Sequence, residues 1–313
     1  MDNSVVIKDD KIKKHKRKGD NSNWQLHAMI LPALLFLIVF AYIPMYGNII
    51  AFQNFIPAKG FFGPQQWVGL SNFASALQMP DTFRVLRNTV LIALGKIILG
   101  LVVPVFFAIL INEVTNRKFK KAVQTLVYIP NFLSWVLIGG ILIEITSLSG
   151  LINNGISSMG FEPIYFLGDK SIFPWTVIFT DVWKGFGFGT VLYLAAITNI
   201  SQELYEASQL DGAKWSQQVW HITLPGMLPI IILMATLSIG NILNAGFEQI
   251  LMLYSPQVYA TGDIIDTYVY RIGLLGAQYS FSTAIGLMKS LISFFLIGSS
   301  YYLAYKYGDY RIF

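Results

Sequence analysis

The chain has 313 residues, of which 54% are hydrophobic, 15% aromatic and only 12% charged. Globular chains carry about 25% charged residues, so this composition excludes an ordinary soluble enzyme, a nucleic-acid-binding domain and a disordered polymer. Cysteine is absent, which removes disulfide frameworks, thiolate catalysis, iron–sulfur clusters and cysteine-ligated zinc.

Residues 1–27 form a basic tail that holds Lys8, Lys11, Lys13, Lys14, Lys16, Arg17 and Lys18. It reads as a topology anchor able to touch anionic lipid. No folded module accompanies it, so a nucleic-acid arm is the poorer reading. A membrane helix needs about 20 mostly apolar residues, and six stretches supply them: 28–52, 88–112, 122–145, 172–199, 222–253 and 280–306. The first is longer than the apolar core of a signal peptide and no small-residue cleavage site follows it, so it is expected to stay.

Lysine and arginine placement orients the spans. With both termini cytoplasmic, the inner side collects the tail cations, Arg117, Lys118, Lys120, Lys121, Lys214, Lys306 and Arg311. The outer side holds Lys59, Arg84, Arg87, Lys170 and Arg271, a bias of nearly threefold toward the inside.

Between the first two spans, residues 53–87 are rich in Gly, Pro, Asn and aromatics. The run Trp67-Val68-Gly69-Leu70-Ser71-Asn72-Phe73 predicts a short interfacial helix capped by Ser71 or Asn72, with Phe73, Ala76 and Leu77 on one face. Residues 147–171 form a second outer loop, polar enough to be structured.

The fourth span carries Asp181, Trp183 and Lys184. Charges at this depth are costly and should face a cavity or a partner. Asp181 and Lys184 are three residues apart, so they are predicted to pair on one helix face. A polar pair beside the Trp183 ring suits a sugar, and a structural ion pair is the alternative. Gly185 and Gly189 form a G-x-x-x-G spacing that permits close helix approach. In the fifth span Asn241, Asn244 and Glu248 fall at helical spacing, predicting a polar stripe along a water-filled route or an interhelical hydrogen-bonding face. Lys96, Glu144 and Lys289 are lone charges to which the pattern assigns no role. Pro225 and Pro229 place the start of this span at the interface.

Several chemistries are missing from the sequence. It has no G-x-x-x-x-G-K-[ST], no H-E-x-x-H and no G-x-S-x-G. His15, His27 and His221 are too scattered for a three-histidine metal site. No catalytic constellation or metal site is therefore expected.

The most informative segment is the cytoplasmic loop before the fifth span. Ser201 is a good N-cap, and Glu203 and Glu206 lie near the favourable end of a short helix. Asp211-Gly212 can stop that helix and turn the chain. Leu204, Ala207 and Leu210 recur about one turn apart, while Ser208, Gly212 and Ala213 leave a small-residue knob that a groove in another protein can approach.

This loop resembles the E-A-A loop of permeases from binding-protein-dependent ABC importers. The matching residues are Glu206-Ala207-Ser208, Asp211-Gly212-Ala213 and, downstream, Ile222-x-Leu224-Pro225. Ser208 departs from the alanine of the family pattern but is also small. Trp67-Val68-Gly69-Leu70-x-Asn72-Phe73 and Arg87-Asn88-Thr89 are similar to segments of carbohydrate-uptake permeases. Asp181-x-Trp183-Lys184 and Tyr193-Leu194-Ala195-Ala196 resemble the LplB-like subgroup associated with oligosaccharides and polysaccharide fragments.

The resemblance implies an all-α integral membrane protein of the type I ABC importer permease fold with six transmembrane helices. Its type-1 core would span 86–303, preceded by a first helix and outer segment at 28–85 and followed by a cytoplasmic C-terminus at 304–313. It implies a multi-pass subunit of a prokaryotic plasma membrane with no cofactor of its own. A separate ABC ATPase dimer would bind ATP and Mg, and a second homologous permease would complete the pathway. An extracytoplasmic solute-binding protein would deliver carbohydrate. Ser201, Glu203, Leu204, Glu206, Ala207, Ser208, Leu210, Asp211, Gly212 and Ala213 would couple to the ATPase. Asp181, Trp183, Lys184, Asn241, Asn244 and Glu248 would line the substrate path. An ion-coupled secondary transporter is the rival reading.

Overall fold

A computed structural model describes residues 23–308. The tail cations at 8–18 and Arg311 lie outside the described residues. The described residues divide into two compact units, 23–49 and 50–308.

In the first unit, α1 (Asn23–Leu37) runs into a π-helical turn, Ile38–Tyr42, and then α2 (Ile43–Met45). Pro44 explains the widened turn. It lacks the N–H that would bond to residue 40, and its ring crowds that carbonyl. A 3-10 segment, Tyr46–Phe52, follows.

The second unit opens on a two-stranded antiparallel ribbon, β1 (Gln53–Asn54) with β2 (Gln66–Trp67), in which Gln53 faces Trp67 and Asn54 faces Gln66. The interfacial helix is α3 (Ser71–Gln78), but neither Ser71 nor Asn72 caps it. Instead Asn72 Nδ2 donates to the carbonyls of Ala51 (2.9 Å) and Gln53 (3.0 Å), tying α3 to the strand before it. An Asn with free amide donors satisfies backbone acceptors that a cap would leave open.

Next comes α4 (Pro80–Asn112), 33 residues long. It threads three buried clusters. Ile92 and Ala93 pack with Val177 and Ile178. Val85 packs with Ile265, Tyr268 and Phe281. Ala108 and Ile109 pack with Tyr193, Ile197 and Met227.

The expected third span, 122–145, is not one helix. It is split into α5 (Arg117–Phe132) and α6 (Trp135–Thr146), joined through Leu133 and Ser134. Ser134 caps α6 by accepting from Leu137 N at 3.3 Å. The hydrophobic run hid a break that Pro130 and the cap residue create together. The loop expected at 147–171 then forms α7 (Leu151–Ser158). Asn153, fully buried, bonds the carbonyls of Ser147 and Ile164 (both 2.9 Å) and accepts from Ile164 N (2.7 Å).

α8 (Phe173–Thr198) is the expected fourth span. At 26 residues it is about 39 Å long, enough to cross the hydrocarbon core. Among the described residues, five other stretches are both long and apolar enough to cross: His27–Phe52, Pro80–Asn112, Trp135–Ser158, Trp215–Gly240 and Tyr279–Tyr302. The polar run around Asp181 and Lys184 keeps α8 out of that set. The tightest approach lies at Gly187, where a Cβ would sit 2.2 Å from the Val127 carbonyl oxygen of α5; of the Gly185/Gly189 pair, Gly189 also meets a neighbour closely, 3.3 Å from Pro104 of α4, while Gly185 meets nothing within 4 Å.

The connection between the fourth and fifth spans is α9 (Gln202–Leu210) and α10 (Trp215–Gln218), followed by a π turn, Val219–Thr223. Pro225 crowds residue 221 inside that turn, as Pro44 does near the start of the chain. α11 (Leu224–Gly240) then ends abruptly. After a break at 241–246, α12 (Phe247–Leu253) begins. Short α13 (Tyr259–Gly262) and α14 (Ile265–Val269) lead through a π segment, Tyr270–Leu275, into α15 (Tyr279–Gly308).

Candidate functional site

Two regions concentrate polar chemistry. The first is the turn after α9. Ser201 Oγ accepts from Glu203 N at 3.3 Å, so Ser201 is the N-cap that the sequence predicts. Gly212 has φ +77°, a left-handed conformation that favours glycine. Gly212 N donates to Gln209 O (3.0 Å) and Ala213 N to Ser208 O (2.9 Å). These two bonds make a Schellman cap, which ends the helix and projects its last turn. Leu204 is 54% exposed and Leu210 91% exposed. Apolar side chains this bare on a short connecting helix suit a docking partner.

Ser208 is also a bracket. Its hydroxyl donates to Tyr205 O (2.8 Å) and accepts from Gln218 Nε2 (2.8 Å). Tyr205 hydroxyl lies 2.9 Å from Thr223 Oγ1. The helix is thus tied through α10 to the π turn that starts the fifth span.

The second region lies where α4, α8 and the 241–246 break meet. Lys96 Nζ donates to Asp181 Oδ1 (3.2 Å), to Ala245 O (2.7 Å) and to Gln249 Oε1 (2.5 Å). The Gln249 amide donates in turn to Val177 O (2.8 Å) and Thr180 Oγ1 (2.9 Å). All three ammonium protons therefore have acceptors in a site where a free charge would be costly. Non-helical backbone at membrane depth is tolerated where it lines a cavity, and one is present. About 260 Å³ of space is bounded by Lys96, Asp181, Ser238, Asn241, Asn244 and their neighbours.

The structure corrects three expectations here. Asp181 pairs with Lys96 and not with Lys184. Lys184 Nζ instead donates to Asn131 O (3.2 Å) and stands 5.3 Å from the Trp135 ring centroid, pinning the break between α5 and α6. Trp183 is 47% exposed and is not among the residues that line the cavity. The stripe of Asn241, Asn244 and Glu248 is not continuous, because the helix stops between them. Asn241 and Asn244 reach the cavity, while Glu248 is exposed in the first turn of α12. Lys96, Gln249 and Gly246 had no assigned role in the sequence. The signal was there in Lys96, a lone cation in an apolar span that had to find an acid.

Lys289 found one too. Its Nζ donates to Asp266 Oδ1 (2.5 Å) and to Asn244 Oδ1 (2.9 Å).

Residues 100–308 match the model of the family described as binding-protein-dependent transport system inner membrane component. The chain belongs to that family. Within it, the chain is 39% identical over 289 residues to Protein LplB of Bacillus subtilis (strain 168), covering 92% of this chain and 91% of the relative. It is 38% identical over 307 residues to the polygalacturonan/rhamnogalacturonan transport system permease protein YteP of the same organism, covering 98% and 95%. A crystal structure of a bacterial ABC transporter involved in import of the acidic polysaccharide alginate superposes with a TM-score of 0.84 at 36% identity, over 91% of this chain and 96% of that one. A second structure, of the bacterial alginate ABC transporter with alginate pentasaccharide-bound periplasmic protein, superposes with a TM-score of 0.82 at 36% identity over 90% and 94%. The binding-protein-dependent permease fold is therefore the fold of this chain, an all-α multi-pass membrane subunit.

Proposed function

We propose that this chain is one of two permease subunits of an ATP-driven importer for carbohydrate, taking oligosaccharides or polysaccharide fragments from an extracytoplasmic binding protein. A separate ABC ATPase dimer would seat α9 in its grooves, with Ser201, Glu203, Leu204, Glu206, Ala207, Ser208, Leu210, Asp211, Gly212 and Ala213 forming the contact. ATP and Mg would be held by that ATPase. Both termini would lie in the cytoplasm of a prokaryote. The observation that carries the reading is the capped, bare-faced α9 turn, since a gradient-driven carrier needs no such knob. The relatives named for polygalacturonan/rhamnogalacturonan and alginate support the cargo class.

The path would pass Lys96, Asp181, Asn241 and Asn244. Paired donors and acceptors on these side chains suit hydroxyl groups, which both give and receive hydrogen bonds. Closure of the ATPase dimer would pull α9, and the Tyr205–Thr223 and Ser208–Gln218 bonds would pass that motion to the fifth span.

The test is purification of the tagged chain from its own cells in mild detergent, with mass spectrometry of what accompanies it, followed by reconstitution. A second permease and a Walker-motif ATPase should co-purify, and galacturonan oligosaccharides should enter proteoliposomes only with ATP and the binding protein. Uptake driven by an ion gradient without ATP would reverse the conclusion in favour of a secondary carrier.

A further inference from the structure

A second cavity of about 490 Å³ adjoins the first on the side of α14 and α15. That volume falls within the about 300–1,000 Å³ of small-molecule pockets. Its walls combine aromatic rings with polar side chains. Phe247, Tyr270 and Tyr279 supply rings, and Asn244, Asp266 and Lys289 supply polar groups. Phe247 and Tyr270 meet edge to face with centroids 5.7 Å apart, and Tyr279 meets Phe55 in the same way at 6.1 Å. Each ring is thus held by another rather than free to swing. Lys289 is fixed by Asp266 and Asn244, with side-chain exposures of 15% for Lys289 and 27% for Asp266.

Asn244 lines both cavities. It is 2.9 Å from Lys289 on one side and 3.5 Å from Asn241 on the other. Each cavity also holds one lysine paired with one aspartate, so neither carries net charge. The wall between α14 and α15 is a π segment, a geometry frequent at functional sites.

We propose that this aromatic cavity is a sugar subsite of the permease, taking one pyranose ring of an oligosaccharide whose neighbouring unit lies in the Lys96–Asp181 cavity. Tyr270 and Phe247 present an apolar surface for the C–H face of the ring. Asp266 accepts from its hydroxyls, and Lys289 donates to them. Asn244 hands the chain from one subsite to the next. The inference rests on the carbohydrate reading above.

The experiment uses the whole importer in proteoliposomes with the binding protein, and galacturonan trisaccharide, alginate trisaccharide and maltotriose as probes. The readout is sugar delivered per ATP consumed. Tyr270→Leu should lower that ratio about fivefold, the worth of one aromatic contact, and Tyr270→Phe should restore it because the ring returns. Phe247→Leu is the second variant and should behave like Tyr270→Leu. An unchanged ratio in both leucine variants overturns the subsite. So does a parallel fall of uptake and ATP consumption in both, which would make the rings structural, or loss of the second permease on purification, which would make this face a subunit contact. Wild-type protein that moves none of the three probes would instead strike the carbohydrate reading itself.

Discussion

A Cβ on residue 246 would stand 2.6 Å from Lys96 Nζ, so the glycine in the break between α11 and α12 and the ammonium from α4 occupy one another's space. Gly246 also has φ +94°, a conformation that other residues adopt at a cost of about 1–2 kcal/mol. The ammonium sits there because Ala245 O, Gln249 Oε1 and Asp181 Oδ1 converge on it. The break in the fifth span is therefore built around a charge carried by the second.

Gly246→Ala should destabilise the subunit by at least that strain and displace Lys96 from its acceptors. The expected result is a lower melting temperature in detergent and weaker uptake. In the background of Lys96→Ala the same substitution should cost less, because only the backbone strain remains. Equal costs in both backgrounds would mean that the two residues are not coupled.

Ser208→Ala should be mild. It removes the bonds to Gln218 and Tyr205, worth about 0.5–1.5 kcal/mol each, while alanine improves helix propensity by a few tenths of a kcal/mol. Gln218 Nε2 also keeps Tyr205 O within 3.5 Å. The net loss at α9 is then about 1–2 kcal/mol, so uptake should fall by about tenfold at most while the importer still assembles. A loss of transport with the complex intact would show that the Ser208–Gln218 bond itself transmits the motion of α9.

Asp169 offers a pH test outside the membrane. Its carboxylate accepts from Ser171 Oγ first, then from Ser171 N (2.7 Å) and Ile172 N (3.2 Å), which holds its pKa below the usual carboxylate value. The depressed value means that this contribution is present above the ordinary carboxylate pKa and fades as the pH falls through the lowered one. Amide exchange at the start of α8, corrected for intrinsic rates, should rise in that acid window. Asp169→Asn should flatten the dependence.

The sequence made both ends of α9 legible, because local chemistry decides them. A serine cap, an Asp-Gly stop and a small-residue turn each act within a few positions, and the structure has them all. The membrane site was legible only in part. Asp181, Asn241 and Asn244 stood out as polar residues in apolar spans, and they do share a cavity. Their partners did not stand out. Lys96 is 85 residues from Asp181 and Lys289 is 45 from Asn244, so nearest-neighbour spacing favoured Lys184 and a continuous stripe. Helix breaks misled for the same reason. Hydropathy sums over 122–145 and 222–253 do not see a cap at Ser134 or a left-handed glycine at 246.

Gly212→Asp is the sharpest test of the docking role proposed for α9. A Cβ at 212 meets nothing within 4 Å, so the substitution does not clash inside the chain. It does force an L residue to φ +77°, at about 1–2 kcal/mol, with aspartate among the residues that tolerate this best. The subunit should therefore still fold and reach the membrane. The added carboxylate extends from the tip of the turn beside Asp211, where a groove in another protein would have to approach. Uptake should be abolished while ATP hydrolysis by the partner no longer responds to the loaded binding protein. Normal uptake in a Gly212→Asp importer would mean that α9 is only a connector, and that the ATPase grips the permease elsewhere.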